Sequence, residues 1–105
     1  MPDAAELLDQ MQAKAARLRH LGYRVRFDLT DTAESILVDG TAGAGSIALA
    51  SDTAEADTVL LLSSDNLARL IAGRLSPMLA FATGKLKVEG SRGVAMKLAS
   101  LLDED

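Results

Sequence analysis

Apolar side chains recur at helical spacing at the start of the chain and then switch to alternation. Between Asp3 and His20, Leu7, Leu8, Met11, Ala15 and Leu18 share a face while Glu6, Asp9, Lys14, Arg17 and Arg19 fall elsewhere, which predicts an amphipathic helix stopped by Gly22. Tyr23, Val25, Phe27 and Leu29 then alternate with Arg24, Arg26, Asp28 and Thr30, the period of a strand with one buried face. Ile36 with Val38, and Ile47 with Leu49, predict two more short strands joined through Gly40 to Gly45 as an antiparallel meander. Thr58 to Leu62 is apolar and too short for a helix, so it reads as a central strand covered on both faces.

Helical signals return after it. Ser63 or Ser64 caps a helix carrying Leu67, Leu70 and Ile71 and ended by Gly73; Ser76-Pro77 opens a short one with Met78, Leu79 and Phe81, closed by Gly84. Lys85 to Glu89 alternates as a last strand, and Ser91 caps a terminal helix whose Val94, Leu98, Leu101 and Leu102 share one face. The order helix, four strands, two helices, strand, helix is that of an α+β fold, one sheet with helices covering a face, without an internal repeat.

Composition narrows this picture. The 105 residues, 49% of them apolar, make one domain spanning 1–105 with enough apolar surface for its own core. The absence of Cys excludes disulfides, thiolate catalysis and cysteine metal sites, and fits a reducing compartment. A net charge of −4, with no Lys or Arg from Phe27 to Asp65, and only 3% aromatic residues argue against nucleic-acid binding. Asp3, Glu6 and Asp9 sit where a secretory signal would be basic and then apolar, and no apolar run approaches the roughly 20 residues of a membrane span; the expected location is cytoplasmic.

Candidate chemistry is sparse, and the expectation is no enzyme, no metal and no cofactor. His20 is alone, without a nucleophile or ligand pattern beside it. Asp28, Asp31, Glu34 and Asp39 fall on outward strand positions and turns, where solvated charge is expected. Gly40 to Ser46 has phosphate-loop spacing but lacks the lysine between Gly45 and Ser46 and joins strand to strand, so it reads as a turn. Gly90-Ser91-Arg92-Gly93 follows a strand and opens a helix, with capping by Ser91 the first reading and anion binding the second. What remains is an aliphatic excess. Core packing accounts for most of it, and a part suits an adaptable apolar pocket: Ile36, Val38, Ile47, Leu49, Leu67, Ile71, Met78, Phe81, Leu98 and Leu102 are the candidate ligand-contacting residues.

The runs Ala56 to Ser63, Asp65 to Leu70 with Gly73, Pro77 to Gly90 and Ala95 to Leu98 resemble the sterol carrier protein 2-like lipid-binding domain, over roughly Tyr23 to Leu102. The resemblance implies a five-stranded, mainly antiparallel sheet with helices on one face, enclosing an apolar tunnel for fatty acids, fatty acyl-CoA, phospholipids or sterols, with no catalysis. By matching position it places Phe81, Leu86 and Val88 at the helix-to-strand segment and Leu98, Leu101 and Leu102 over the tunnel mouth, and the terminal helix is the expected lid. Ser91 stands where the family commonly has an acidic residue, and the second strand lacks the frequent aromatic. The expected partner is a lipid or fatty-acyl ligand, with transient membrane contact through Lys14, Arg17 and Arg19 as a further reading. The alternative is an accessory or dimerisation module, a homodimer or the partner of a lipid- or quinone-related enzyme, with a largely self-filled pocket.

Overall fold

In the computed structural model, which describes residues 3–14, 21–41 and 46–103, the alternating segments form β1 (Arg24–Leu29), β2 (Ser35–Asp39), β3 (Ser46–Ala50), β4 (Thr58–Leu62) and β5 (Leu86–Gly90). The helices are α1 (Ala4–Gln12), α2 (Ser64–Ile71), α3 (Pro77–Ala82) and α4 (Arg92–Asp103). One sheet results, in the order β3-β2-β1-β4-β5. β1–β2, β2–β3 and β4–β5 pair antiparallel and β1–β4 parallel, so the expected α+β sheet is mixed, with the meander intact at one end.

Register explains which face is covered. Phe27 of β1 lies opposite Ile36 of β2 and Leu60 of β4, and Val25 opposite Val38, so the inner positions of neighbouring strands line up on one side. Leu7 and Met11 of α1, Leu67 and Leu70 of α2, and Leu98 of α4 join them in a single buried cluster. α1 lies on β2 and β3, α4 on β4 and β5, and α2 touches both α1 and α4, which leaves β1 as the middle of the floor. α3 packs on β5 and α4.

Two expectations need correction. β4 is not covered on both faces: Thr58, Leu60 and Leu62 are buried, whereas Val59 and Leu61 are half-buried on the far side. There Val59 lies between Arg26 and Glu89, and Leu61 between Asp28 and Lys87, so charged residues of the neighbouring strands flank them. The first helix ends at Gln12, where the Lys14 N–H turns to the Met11 carbonyl at 2.9 Å and tightens the chain; residues 15–20, with the expected continuation to His20, lie outside the described residues.

The helix caps follow the serines. Ser63 Oγ accepts from the Asn66 N–H at 3.1 Å, Ser76 Oγ from Leu79 and Ser91 Oγ from Val94. Asp31, read as solvated charge, instead clasps the start of α2: its carboxylate accepts from the Ser64 hydroxyl at 2.6 Å and the Ser64 N–H at 2.9 Å. Those two bonds, the hydroxyl first, hold its pKa below the ordinary 3.8. Because the folded value is depressed, the stabilisation is complete above the unfolded value and is lost as pH falls through the folded one. Asp31→Asn is therefore expected to lower the melting temperature at neutral pH and to flatten its decline toward acid; thermal melts of both proteins across the acid range check this, and parallel curves would refute it.

Candidate functional site

The sheet presents an apolar floor and the helices a roof. Ile36, Val38, Leu67 and Leu98 have no exposure at all, and Ile47 and Ile71 very little; the six belong to the same buried cluster as Phe27 and Leu60. They come from β2, β3, α2 and α4, so the fold gathers residues up to some sixty positions apart into one interior. Leu49 and Met78 stand apart, 51% and 75% exposed. Leu49 shares the inner face of β3 with Ile47 but lies toward the end of an edge strand, opposite Ile36. The Leu102 side chain lies outside the described residues. Val25 and Phe27, whose alternation placed them on one face of β1, and Leu60, read within a run covered on both faces, also belong to this cluster but were not among the candidates.

α3 forms one margin of this interior. It is a six-residue helix whose only buried residue is Ala80; Phe81 is half-buried, and Met78 and Leu79 face outward. The Arg92 guanidinium sits over the Phe81 ring, 5.2 Å from its centroid, linking the start of α4 to α3. Arg92 thus stacks on a ring, and with Ser91 capping α4 the capping reading of Gly90 to Gly93 is the one the geometry favours. Gly90 has φ +104, and a Cβ built there would meet the Asp57 carbonyl oxygen at 2.8 Å.

Three of the four carboxylates, Asp28, Asp31 and Asp39, accept hydrogen bonds from neighbouring side chains. Asp28 is bound by Arg26 at 2.8 and 3.1 Å and by the Ser35 hydroxyl at 2.8 Å, on the far side of the sheet. Asp39 is bound by Arg24 at 3.2 Å and by Thr41, whose hydroxyl is the first cause of its lowered pKa. Among the described residues no three His, Cys, Asp or Glu side chains gather as a metal site would require. Residues 42–45 of the Gly40 to Ser46 turn, and His20, lie outside the described residues. Surface hollows near α2, α4 and the β1–β4 end have volumes of about 290 to 420 Å³, and the ten candidate residues line none of these four.

A mixed sheet roofed on one side by helices, with a largely apolar interior that also buries Ser35, Thr58 and Ser64, and one short helix exposing apolar side chains, defines a small α+β domain. Comparison with known proteins supplies the rest. Residues 4–103 match the family described as "SCP-2 sterol transfer family", and the chain belongs to that family of lipid-binding and transfer domains. It is similar to sterol carrier protein 2 of Gallus gallus, 42% identical over 65 residues covering 62% of this chain and 12% of that protein. It is also similar to hydroxysteroid dehydrogenase-like protein 2 of Bos taurus, 35% identical over 60 residues covering 57% of this chain and 14% of that one. The aligned part is thus a small share of these longer chains. Among solved structures, the sterol carrier protein 2 of Yarrowia lipolytica superimposes with a TM-score of 0.69 at 29% identity, covering 90% of this chain and 77% of that one. No described helix is long and apolar enough to cross a membrane.

Proposed function

We propose that residues 1–105 act as one non-catalytic unit that binds a hydrophobic ligand, a fatty acid, fatty acyl-CoA, phospholipid or sterol-like lipid, between the sheet and its helical roof. The observation that carries this reading, beside the family, is a shared apolar interior with a lightly buried margin: Ile36, Val38, Ile47, Leu67, Ile71 and Leu98 belong to one buried cluster, and α3, with exposed Met78 and half-buried Phe81, packs on α4, which carries Leu98. Ile36, Val38, Ile47, Leu49, Leu67, Ile71, Met78, Phe81, Leu98 and Leu102 are the proposed contacts.

The energetics suit a carrier. Burying about fifteen methylenes at about 0.8 kcal/mol each is worth roughly 12 kcal/mol against water before association costs. Against a bilayer, already apolar, the difference is near zero, so loading and unloading are reversible and need no covalent step. Entry requires an element to move. α4 is an unsuitable lid, since Val94, Ala95 and Leu98 belong to the core, whereas α3 buries only Ala80 and its displacement exposes little.

Native mass spectrometry of freshly purified protein, followed by extraction and lipid analysis, tests the reading: a stoichiometric lipid is expected. Phe81→Glu is expected to weaken uptake of a fluorescent fatty acid at least about tenfold, the loss of one aromatic contact plus a buried charge, while circular dichroism stays unchanged. Full uptake by the folded variant would remove Phe81 from the site. The zero exposure of Ile36, Val38, Leu67 and Leu98 favours a second reading, an accessory module whose interior is filled by its own side chains. An empty protein that takes up no fatty acid would establish that one.

A further inference from the structure

The sheet ends in β3 on one side and β5 on the other, and an edge strand carries a row of backbone groups without a strand to pair them. β5 is guarded against further pairing by Lys87 and Glu89 along its length and by Gly90, with its positive φ, at its end. β3 has no such guard. Ser46-Ile47-Ala48-Leu49-Ala50 holds no charge, no proline and no glycine, and both Ala48 and Leu49 are exposed, Leu49 by 51%.

The hydrogen-bond ladder shows which groups of β3 are free. At the β1–β2 hairpin the Leu29 N–H donates to the Glu34 carbonyl at 2.9 Å, so by alternation Ile36 and Val38 turn their backbone groups to β1 and Leu37 turns its own to β3. Ala48, opposite Leu37, answers β2, and Ile47 and Leu49 therefore point their N–H and C=O groups away from the sheet. The contact from α1 agrees with this: Gln12 Nε2 donates to the Ile47 carbonyl at 3.2 Å, which leaves that oxygen a second lone pair. Half-buried Leu8 lies one turn before Gln12 on the same side of α1, the side turned to this edge.

We propose that the β3 edge is a dimer interface, its occupant the β3 of a second copy of this chain running antiparallel about a two-fold axis at Ala48. That register sets Ile47 opposite Leu49 of the partner subunit and Leu49 opposite Ile47 of the partner subunit, so the outward N–H and C=O groups meet their complements and the two sheets become one. The two copies of Ala48 face each other across the axis, where opposed side chains come closest and a methyl group fits. A second copy suits this edge because the strand is symmetric about Ala48, with Ile47 and Leu49 on the inner face and small residues between and outside them. Being uncharged, it also adds no repulsion at the seam between two chains of net charge −4. Pairing gives exposed Leu49 an aliphatic neighbour and closes the open side of the interior at β3. It requires no ligand and stands whether or not the interior holds one.

Sedimentation equilibrium of the full chain across a concentration series tests this, and a mass rising toward twice the 11.0 kDa of the chain is expected. Ala48→Lys and Ala48→Glu, at an exposed position, set like charges against each other across the axis, and each is expected to raise the dissociation constant of the dimer about fivefold. A mixture of the two variants is expected to restore dimers, since opposite charges then face each other. Leu49→Asp is expected to raise the dissociation constant at least about tenfold. Backbone hydrogen exchange of the unaltered protein reads the register: the Leu49 amide is expected to slow at concentrations that favour the dimer, and the Ala48 amide, bonded to β2, to exchange alike at all of them. A mass of one chain at every concentration up to about 1 mM would overturn the proposal. So would a dimer that survives all three substitutions, or one that leaves exchange at Leu49 unchanged, because it would use another surface.

Discussion

Gly90→Ala is expected to destabilise the domain by about 2–4 kcal/mol, far more than an ordinary surface substitution. Gly90 ends β5 with φ +104, a region that residues with a Cβ rarely enter, and the added carbon would lie 2.8 Å from the Asp57 carbonyl oxygen and 3.2 Å from the Thr58 Cα. Both are backbone atoms, and neither can swing aside. Asp57 is itself held, its N–H bonded to the Arg24 carbonyl at 2.8 Å and its carboxylate accepting from the Arg24 N–H at 2.9 Å. The strain must therefore move the corner between β5 and α4, where Thr58 Oγ1 accepts from the Ser91 N–H. Gly84→Ala is the control: it shares a positive φ of +78 but has nothing within 4 Å of the added carbon, so it is expected to lose only about 1–2 kcal/mol. Denaturant unfolding of the two variants measures the difference, and equal losses would show that the contact with Asp57 contributes nothing. Since α4 carries Leu98, Gly90→Ala is also expected to reduce ligand uptake.

Phe27→Ala is expected to remove about 3–5 kcal/mol of a total stability of about 5–15 kcal/mol. Phe27 occupies the middle position of the middle strand, opposite Ile36 and Leu60, and all three are essentially inaccessible to water. No helix makes extensive contact with β1, and Phe27 belongs to the one buried cluster to which α1, α2 and α4 contribute, so truncating the ring leaves a cavity in the middle of that core. Leu37→Ala, on the far face of β2 and half-buried, is expected to lose under about 2 kcal/mol. Thermal or urea unfolding tests the contrast. If the interior also accepts lipid, added fatty acid is expected to raise the melting temperature of the native protein by binding only the folded state.

Much of the fold was legible before its coordinates. Every described strand and helix was foreseen in type and order, and Ser76 and Ser91 were foreseen as caps and Ser63 as one of two alternatives with Ser64, because caps and periodicities are properties of a few adjacent residues. The resemblance carried by Ala80 to Gly90 pointed to the family that residues 4–103 match. Six of the ten candidate site residues share one buried cluster, since alternation and helical spacing already assigned them to an inward face. Leu49 and Met78 were placed inward by the same logic and are exposed, because neither the end of an edge strand nor the first turn of a short helix has a neighbour to cover it.

The period of apolar residues by itself determined which segments are strands, which are helices and which side of each is apolar; these depend on backbone geometry over a few residues. Only the tertiary structure decided that β1 pairs with β4 in parallel, that Asp31 closes the start of α2 from 33 positions away, and that Gly90 must lack a side chain because Asp57 passes beside it. Such contacts join segments far apart in the chain, and their free energy depends on a partner whose position no local pattern records.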